Sequence, residues 1–221
     1  MKLLNNYIDH TLLKPSATET DIIRLCEEAK QYNFFSVCVN SCFLALASEM
    51  LKNSGVKVCS VVGFPLGAMD TQAKAFETKQ AIANGASEID MVINLGFLKS
   101  KDYKAVLNDI KKVKVACEDH TLKVILETCE LSKDEIIKVC ELCVEAKADF
   151  VKTSTGFGSG GATIEDVKIM KKTVKNKAKI KASGGIRDYE TAMKFIDLGV
   201  ERLGVSAGIA IVEGKRSNAN Y

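Results

Sequence analysis

Two hydrophobic periods alternate along the whole chain. Short runs rich in β-branched residues read as strands: Tyr7 to Leu12, Phe35 to Asn40, Val56 to Phe64, Glu88 to Asn94, Leu122 to Thr128, Phe150 to Thr155, Lys179 to Ser183 and Arg202 to Val205. Between them the apolar positions recur at helical spacing, as in Tyr103, Val106, Leu107, Ile110 and Val113, and again in Ile136, Ile137, Cys140 and Val144. Ser132 with Glu135, and Thr163 with Asp166, predict capping boxes, in which a hydroxyl accepts a backbone N–H and the acid reaches back. Strand followed by helix, repeated, predicts a parallel sheet covered by helices. Eight such units close a TIM (β/α)8 barrel, while five or six would leave an open doubly wound sheet. The eight runs fit the barrel better, although the first is short.

No Pro-rich, Ser-rich or repeated segment marks a linker, so residues 1–221 are expected to form a single domain with a polar tail from Gly214 to Tyr221. No apolar run approaches the ~20 residues of a membrane helix. The amino terminus reaches Asp9 and His10 before a signal peptide could develop, and a cytoplasmic location is expected. The eight cysteines fall mainly in apolar runs and read as reduced core thiols, including the Cys140 and Cys143 pair on a helical pattern. Lysines and acids are interleaved at a net charge of +3, which gives no basic stripe for nucleic acid. His10 and His120 are too few and too far apart to make a metal site by themselves, and none is expected.

Strand positions in a barrel are covered on both faces, so a charge there requires a reason. Asp90 lies within Ile89 to Ile93, Lys152 follows Phe150-Val151, and Lys181 sits between Ile180 and Ala182. All three are near the carboxyl ends of their strands, where barrel active sites are assembled. An ordinary lysine is protonated at neutral pH and cannot attack a carbonyl; burial and a second ammonium nearby both disfavour the charged form. One lysine then serves as nucleophile, the other holds charge, and Asp90 moves protons. The competing reading is a structural ion pair such as Lys152 with Asp90, which would leave one lysine unpaired. Glycine clusters after the last strands, containing Gly156, Gly184, Gly185 and Gly204 with Ser206, suit close approach of backbone to an anion. Gly156, Gly158 and Gly161 also match G-x-G-x-x-G, but the acid that a dinucleotide site requires is missing downstream.

Five segments together resemble the deoxyribose-phosphate aldolase family: Ile8-Asp9-His10-Thr11-Leu12-Leu13, Val61-Val62-Gly63-Phe64-Pro65-Leu66-Gly67, Glu88-Ile89-Asp90-Met91-Val92-Ile93-Asn94, Phe150-Val151-Lys152-Thr153-Ser154-Thr155-Gly156-Phe157 and Lys181-Ala182-Ser183-Gly184-Gly185-Ile186-Arg187. The resemblance implies a TIM barrel and a class I aldolase. Such an enzyme reversibly cleaves 2-deoxy-D-ribose 5-phosphate to D-glyceraldehyde 3-phosphate and acetaldehyde, without a cofactor, and commonly pairs as a homodimer. It makes Lys152 the Schiff-base lysine, Lys181 the second lysine and Asp90 the proton-handling acid. Thr155, Gly156, Gly184, Gly185 and Ser206 would face the phosphate, and Asp9 the substrate hydroxyls. Two positions depart from the family pattern: Ala207 replaces the second of paired serines, and Ser41 stands where proline is common. Some members end in a tyrosine that visits the site, and Tyr221 ends this chain. Two other readings remain: another imine-forming barrel aldolase sharing Lys152, and a sugar-phosphate binding protein without turnover.

Overall fold

The computed structural model describes residues 3–217; Tyr221 lies outside them. Eight parallel strands form a closed barrel in sequence order, with β8 returning to pair with β1. They are β1 (Ile8–Leu12), β2 (Ser36–Val39), β3 (Lys57–Val62), β4 (Glu88–Val92), β5 (Thr121–Ile125), β6 (Phe150–Lys152), β7 (Lys179–Ser183) and β8 (Arg202–Val205). The helices are α1 (Glu19–Gln31), α2 (Leu44–Met50), α3 (Thr71–Ala83), α4 (Leu95–Lys99), α5 (Tyr103–Ala116), α6 (Lys133–Glu145), α7 (Ile164–Val174), α8 (Tyr189–Asp197) and α9 (Gly208–Val212). The TIM barrel expected from the eight runs is therefore the fold. None of the helices is long and apolar enough to cross a membrane.

Strands alternate their side chains between two faces. The outward set, including Ile8, Val37, Ile89, Met91, Leu122, Val124, Val151, Ile180 and Leu203, packs with helix residues such as Ile22, Val106, Ile110, Ile136 and Val167 into one buried apolar shell. Most of the hydrophobic stabilisation lies in that shell. The inward set is of another kind. Cys38 pairs in register with Cys59, Asp90 with Lys123, Lys152 with Lys181, and Lys181 with Arg202. Layers that are ordinarily filled by branched apolar residues are here built largely from charges and thiols.

Several strands end earlier than their apolar runs. β6 stops at Lys152, and β3 stops at Val62. The residues beyond run out at the barrel rim into the mouth loops, with the Thr153 N–H still donating to the Lys181 carbonyl at 3.2 Å. Ser132 and Glu135 form the expected capping box, and Thr18 with Asp21 forms another. Thr163 is only half of one. Its hydroxyl accepts from the Asp166 N–H at 3.0 Å, but the Asp166 carboxylate is taken by Lys133 at 2.7 Å and does not reach back. All eight cysteines are free and six are buried; Cys42 is exposed and Cys129 half-buried, so two are not core thiols. His120 is half-buried at the entry to β5, its ring Nδ1 3.0 Å from the Cys117 carbonyl.

One buried ion pair lies outside the barrel interior. Lys74 of α3 reaches Asp109 of α5 at 2.6 Å and donates to the Val92 carbonyl at 3.0 Å, pinning both helices to the rim of β4. Both side chains are sealed from solvent, so removing one strands the other. Asp109→Ala is expected to lower stability by about 3 to 5 kcal/mol in urea denaturation. A loss within a few tenths of wild type would mean that the pair does not fasten the helices.

Candidate active site

The interior charges converge on one carboxylate. Asp90 Oδ1 accepts from Lys123 at 2.8 Å and lies 3.2 Å from the Cys59 thiol; Oδ2 accepts from Lys152 and from Lys181, each at 2.8 Å. Lys181 also stands 2.5 Å from Asp9 Oδ2. Beneath them Arg202 bridges Asp9 Oδ1 at 2.6 Å and Glu88 Oε1 at 2.6 Å, its guanidinium stacked 3.2 Å over the Phe35 ring. Glu88 reaches Lys123 at 2.7 Å. The two lysines and Asp90 singled out from the sequence thus meet, and neither lysine is left without an acid.

Burial alone would raise the Asp90 carboxyl, but Lys123, Lys152 and Lys181 together hold it well below the usual carboxylate range. Asp9 is treated in the same way: Lys181 and Arg202 outweigh burial and lower it. For Lys181, burial opposes the charge, yet Asp9 and Asp90 win and hold the ammonium above the ordinary lysine value. Lys123 is likewise raised, against burial, by Asp90, Cys59 and Glu88. Burial pushes the Cys59 thiol well up.

Of the three lysine side chains on Asp90, only that of Lys152 is not completely sealed, with 3% exposed against 0% for Lys123 and Lys181. Lys152 is also the last residue of its strand, at the mouth of the barrel, whereas Lys123 and Lys181 sit inside β5 and β7. Gly204, opposite Ser183 in the β7 to β8 register, lies against the Lys181 stem: a Cβ there would come within 2.9 Å of Lys181 Cε, so the stem would have to shift. Cys38, Cys59 and Asp90 offer three donor atoms within 4.8 Å of one another. The cationic groups already held by Asp90 oppose a metal cation there.

Beside this centre, Gly156, Gly184, Gly185, Gly204, Ser206 and Arg187 line a small cleft. Gly156, Gly184 and Gly185 have φ of 88°, 86° and 79°, backbone states that favour glycine. Thr155 does not join them. Its hydroxyl makes a short bond to the buried Glu127 carboxylate, which also accepts the Thr155 N–H at 3.2 Å, and both residues line a neighbouring pocket with Pro65, Leu66 and Phe157. Asp9 is fully buried and faces Lys181, Arg202 and Ser36. Lys123, Glu88, Arg202 and Arg187 are additions to the sequence reading. The signal used for Lys152 was available for Lys123, which interrupts Leu122, Val124 and Ile125, whereas Glu88 and Arg202 stand at strand starts, where a charge usually meets water.

Comparison with known proteins agrees along the chain. The sequence model of the DeoC/LacD family aldolases matches residues 4–214. A deoxyribose-phosphate aldolase of Mycoplasma capricolum subsp. capricolum is 58% identical over 218 residues, covering 99% of this chain and 98% of its own. Among solved structures, the aldolase QR15 superposes with a TM-score of 0.93 at 43% identity and 96% coverage of both chains. The tetrameric deoxyribose phosphate aldolase of Aeropyrum pernix superposes with a TM-score of 0.88 at 33% identity, covering 95% of this chain and 89% of its own.

Because Asp9 and Asp90 are held low, the stability they contribute is complete above the unfolded aspartate value of about 4 and is lost as pH falls toward their folded values. Urea midpoints are expected to drop between about pH 4 and about pH 2, and less steeply in Asp90→Asn, which lacks one of the two groups. An unchanged slope in that variant would remove Asp90 from the explanation.

Proposed function

The chain belongs to the DeoC/LacD family of aldolases, and we propose that it reversibly cleaves 2-deoxy-D-ribose 5-phosphate to D-glyceraldehyde 3-phosphate and acetaldehyde through an imine on Lys152. The observation that carries this reading is an interior where three lysines share one carboxylate and one of them, Lys152, ends its strand at the barrel mouth.

In this reading the neutral Lys152 amine adds its lone pair to C1 of the open-chain aldehyde, and the hydroxyl so formed leaves as water, giving a protonated imine. The C2–C3 bond then breaks, and its electrons flow toward the imine nitrogen. The C3 hydroxyl loses its proton, so C3 to C5 depart as glyceraldehyde 3-phosphate. The remaining enamine takes a proton at C2, and water returns to C1 to release acetaldehyde and free the amine. Lys181 stays charged throughout because Asp9 and Asp90 secure it, and it is a fixed cation beside Lys152 across the β6 to β7 register. Asp90, ionised, accepts and returns protons as the imine forms and collapses. Asp9 serves by fixing Lys181. Gly156, Gly184, Gly185 and Ser206 receive the phosphate, and Arg187, on the same cleft, supplies a countercharge. Thr155 shapes the loop from the side through Glu127.

The reading takes residues 1–221 as one catalytic domain in a cytoplasmic setting, supported by eight free cysteines. It includes self-association as a homodimer; its support is the tetramer named for the Aeropyrum pernix relative, and light scattering on the purified protein measures it.

Incubation with the sugar phosphate and borohydride, followed by peptide mapping, is expected to mark Lys152. An unmarked lysine would reduce the protein to a binding module, and a marked lysine without acetaldehyde release would indicate another aldol substrate. Lys152→Ala is expected to abolish turnover with an unchanged circular dichroism spectrum; retained turnover would refute the assignment. Lys181→Leu is expected to raise the pH at which the imine forms, because the neighbouring cation is gone.

A further inference from the structure

Lys123 is a fully buried cation that the reaction as written does not use. Its ammonium lies 2.8 Å from Asp90 Oδ1 and 2.7 Å from Glu88 Oε2, with the Cys59 sulfur at 3.4 Å. It is on the far side of the Asp90 carboxylate from Lys152. Lys123, Lys152, Lys181 and Arg202 are linked by ion pairs to Asp9, Glu88 and Asp90, which makes four bases against three acids. Three of the bases touch two acids each: Lys123 has Glu88 and Asp90, Lys181 has Asp9 and Asp90, and Arg202 has Asp9 and Glu88. Lys152 touches one, through an oxygen that Lys181 already occupies.

We propose that Lys123 is a positioning residue for the nucleophile: by occupying Asp90 from behind it keeps the barrel interior one positive charge in excess, and so sets the pH at which Lys152 becomes a free amine. This inference rests on the imine reading above. An unbalanced charge in a sealed interior is costly, and the proton most readily shed is the one with the weakest hold and the open path. If Lys123 were apolar, Asp90 Oδ1 would lose its main partner, the count would fall to three against three, and Lys152 would be retained as the ammonium that Asp90 requires. Among the described residues, the thiols of Cys38 and Cys59 inside the barrel also face this cluster, and the Cys117 thiol lies near enough to feel the Lys123 charge. Burial keeps Cys59 and Cys117 up and protonated, while the hydrogen bond from Cys59 draws Cys38 down. A Cys38→Ala background therefore keeps that thiol out of the count.

The test measures how much Lys152 is trapped by the sugar phosphate and cyanoborohydride as a function of pH, in the full chain with the Cys38→Ala change. Lys123→Met is expected to move the half-maximal pH up by about one unit or more. Lys123→Arg, which keeps the charge, is expected to restore it toward the parent value. Glu88→Gln removes an acid from the same network and is expected to move it down. Two substitutions that disturb one structure thus shift the profile in opposite directions, which a merely structural role would not do. Should Lys123→Met fail to fold, the Glu88→Gln shift alone carries the decision. Shifts of the same sign, or none, would overturn the role of Lys123 while leaving Lys152 trapped in the parent. Absence of trapping in the parent at every pH would instead overturn the imine reading itself.

Discussion

One carboxylate organises the interior of this barrel. Asp90 can be ionised deep inside the protein only because ammonium groups from β5, β6 and β7 approach it together, and each of those ammonium groups can be charged there only because a carboxylate is within reach. Barrel closure brings these strands around the one that carries Asp90, so the register of all eight strands becomes a condition of the charge arrangement. Gly204 is part of the same constraint, since the space that its missing side chain leaves is filled by the Lys181 stem.

Stability and reactivity are assigned to opposite faces of the same strands. Outward residues such as Ile89, Val124, Val151 and Leu203 bury apolar surface against the helices, which is where the favourable free energy of folding is found. The inward residues contribute little net stability, because desolvating seven charges consumes most of what their mutual attraction returns. A scaffold held from outside can carry a costly interior. At the rim, Lys74 and Asp109 tie α3 and α5 to the end of β4, directly above the strand that bears Asp90.

Much of the fold could be read in the chain before its coordinates. Eight β-branched runs separated by helical periods place every strand to within a few residues, and errors concentrate at the carboxyl ends of runs such as Val56 to Phe64, because rim loops are as apolar as the strands they continue. A charge in an apolar run also identifies Lys152, Lys181 and Asp90. It is ambiguous for Glu88 and Arg202, since at a strand's first residue the chain can as easily be leaving water as entering the core.

The repeating βα order, the apolar shell and the presence of reactive groups on the strands follow from local periodicity and residue type, and so are legible along the chain. Which acid answers which base depends on the folded barrel. Lys181 and Asp90 are 91 residues apart, and Arg202 and Asp9 are 193 apart, so their pairing exists only once the first strand meets the last. For the same reason Asp9 turned inward to Lys181, Thr155 turned aside to Glu127, and Lys123 came to stand behind the carboxylate that serves Lys152. Electrostatic partnership is set by distance in space, and closing a barrel makes distant positions adjacent.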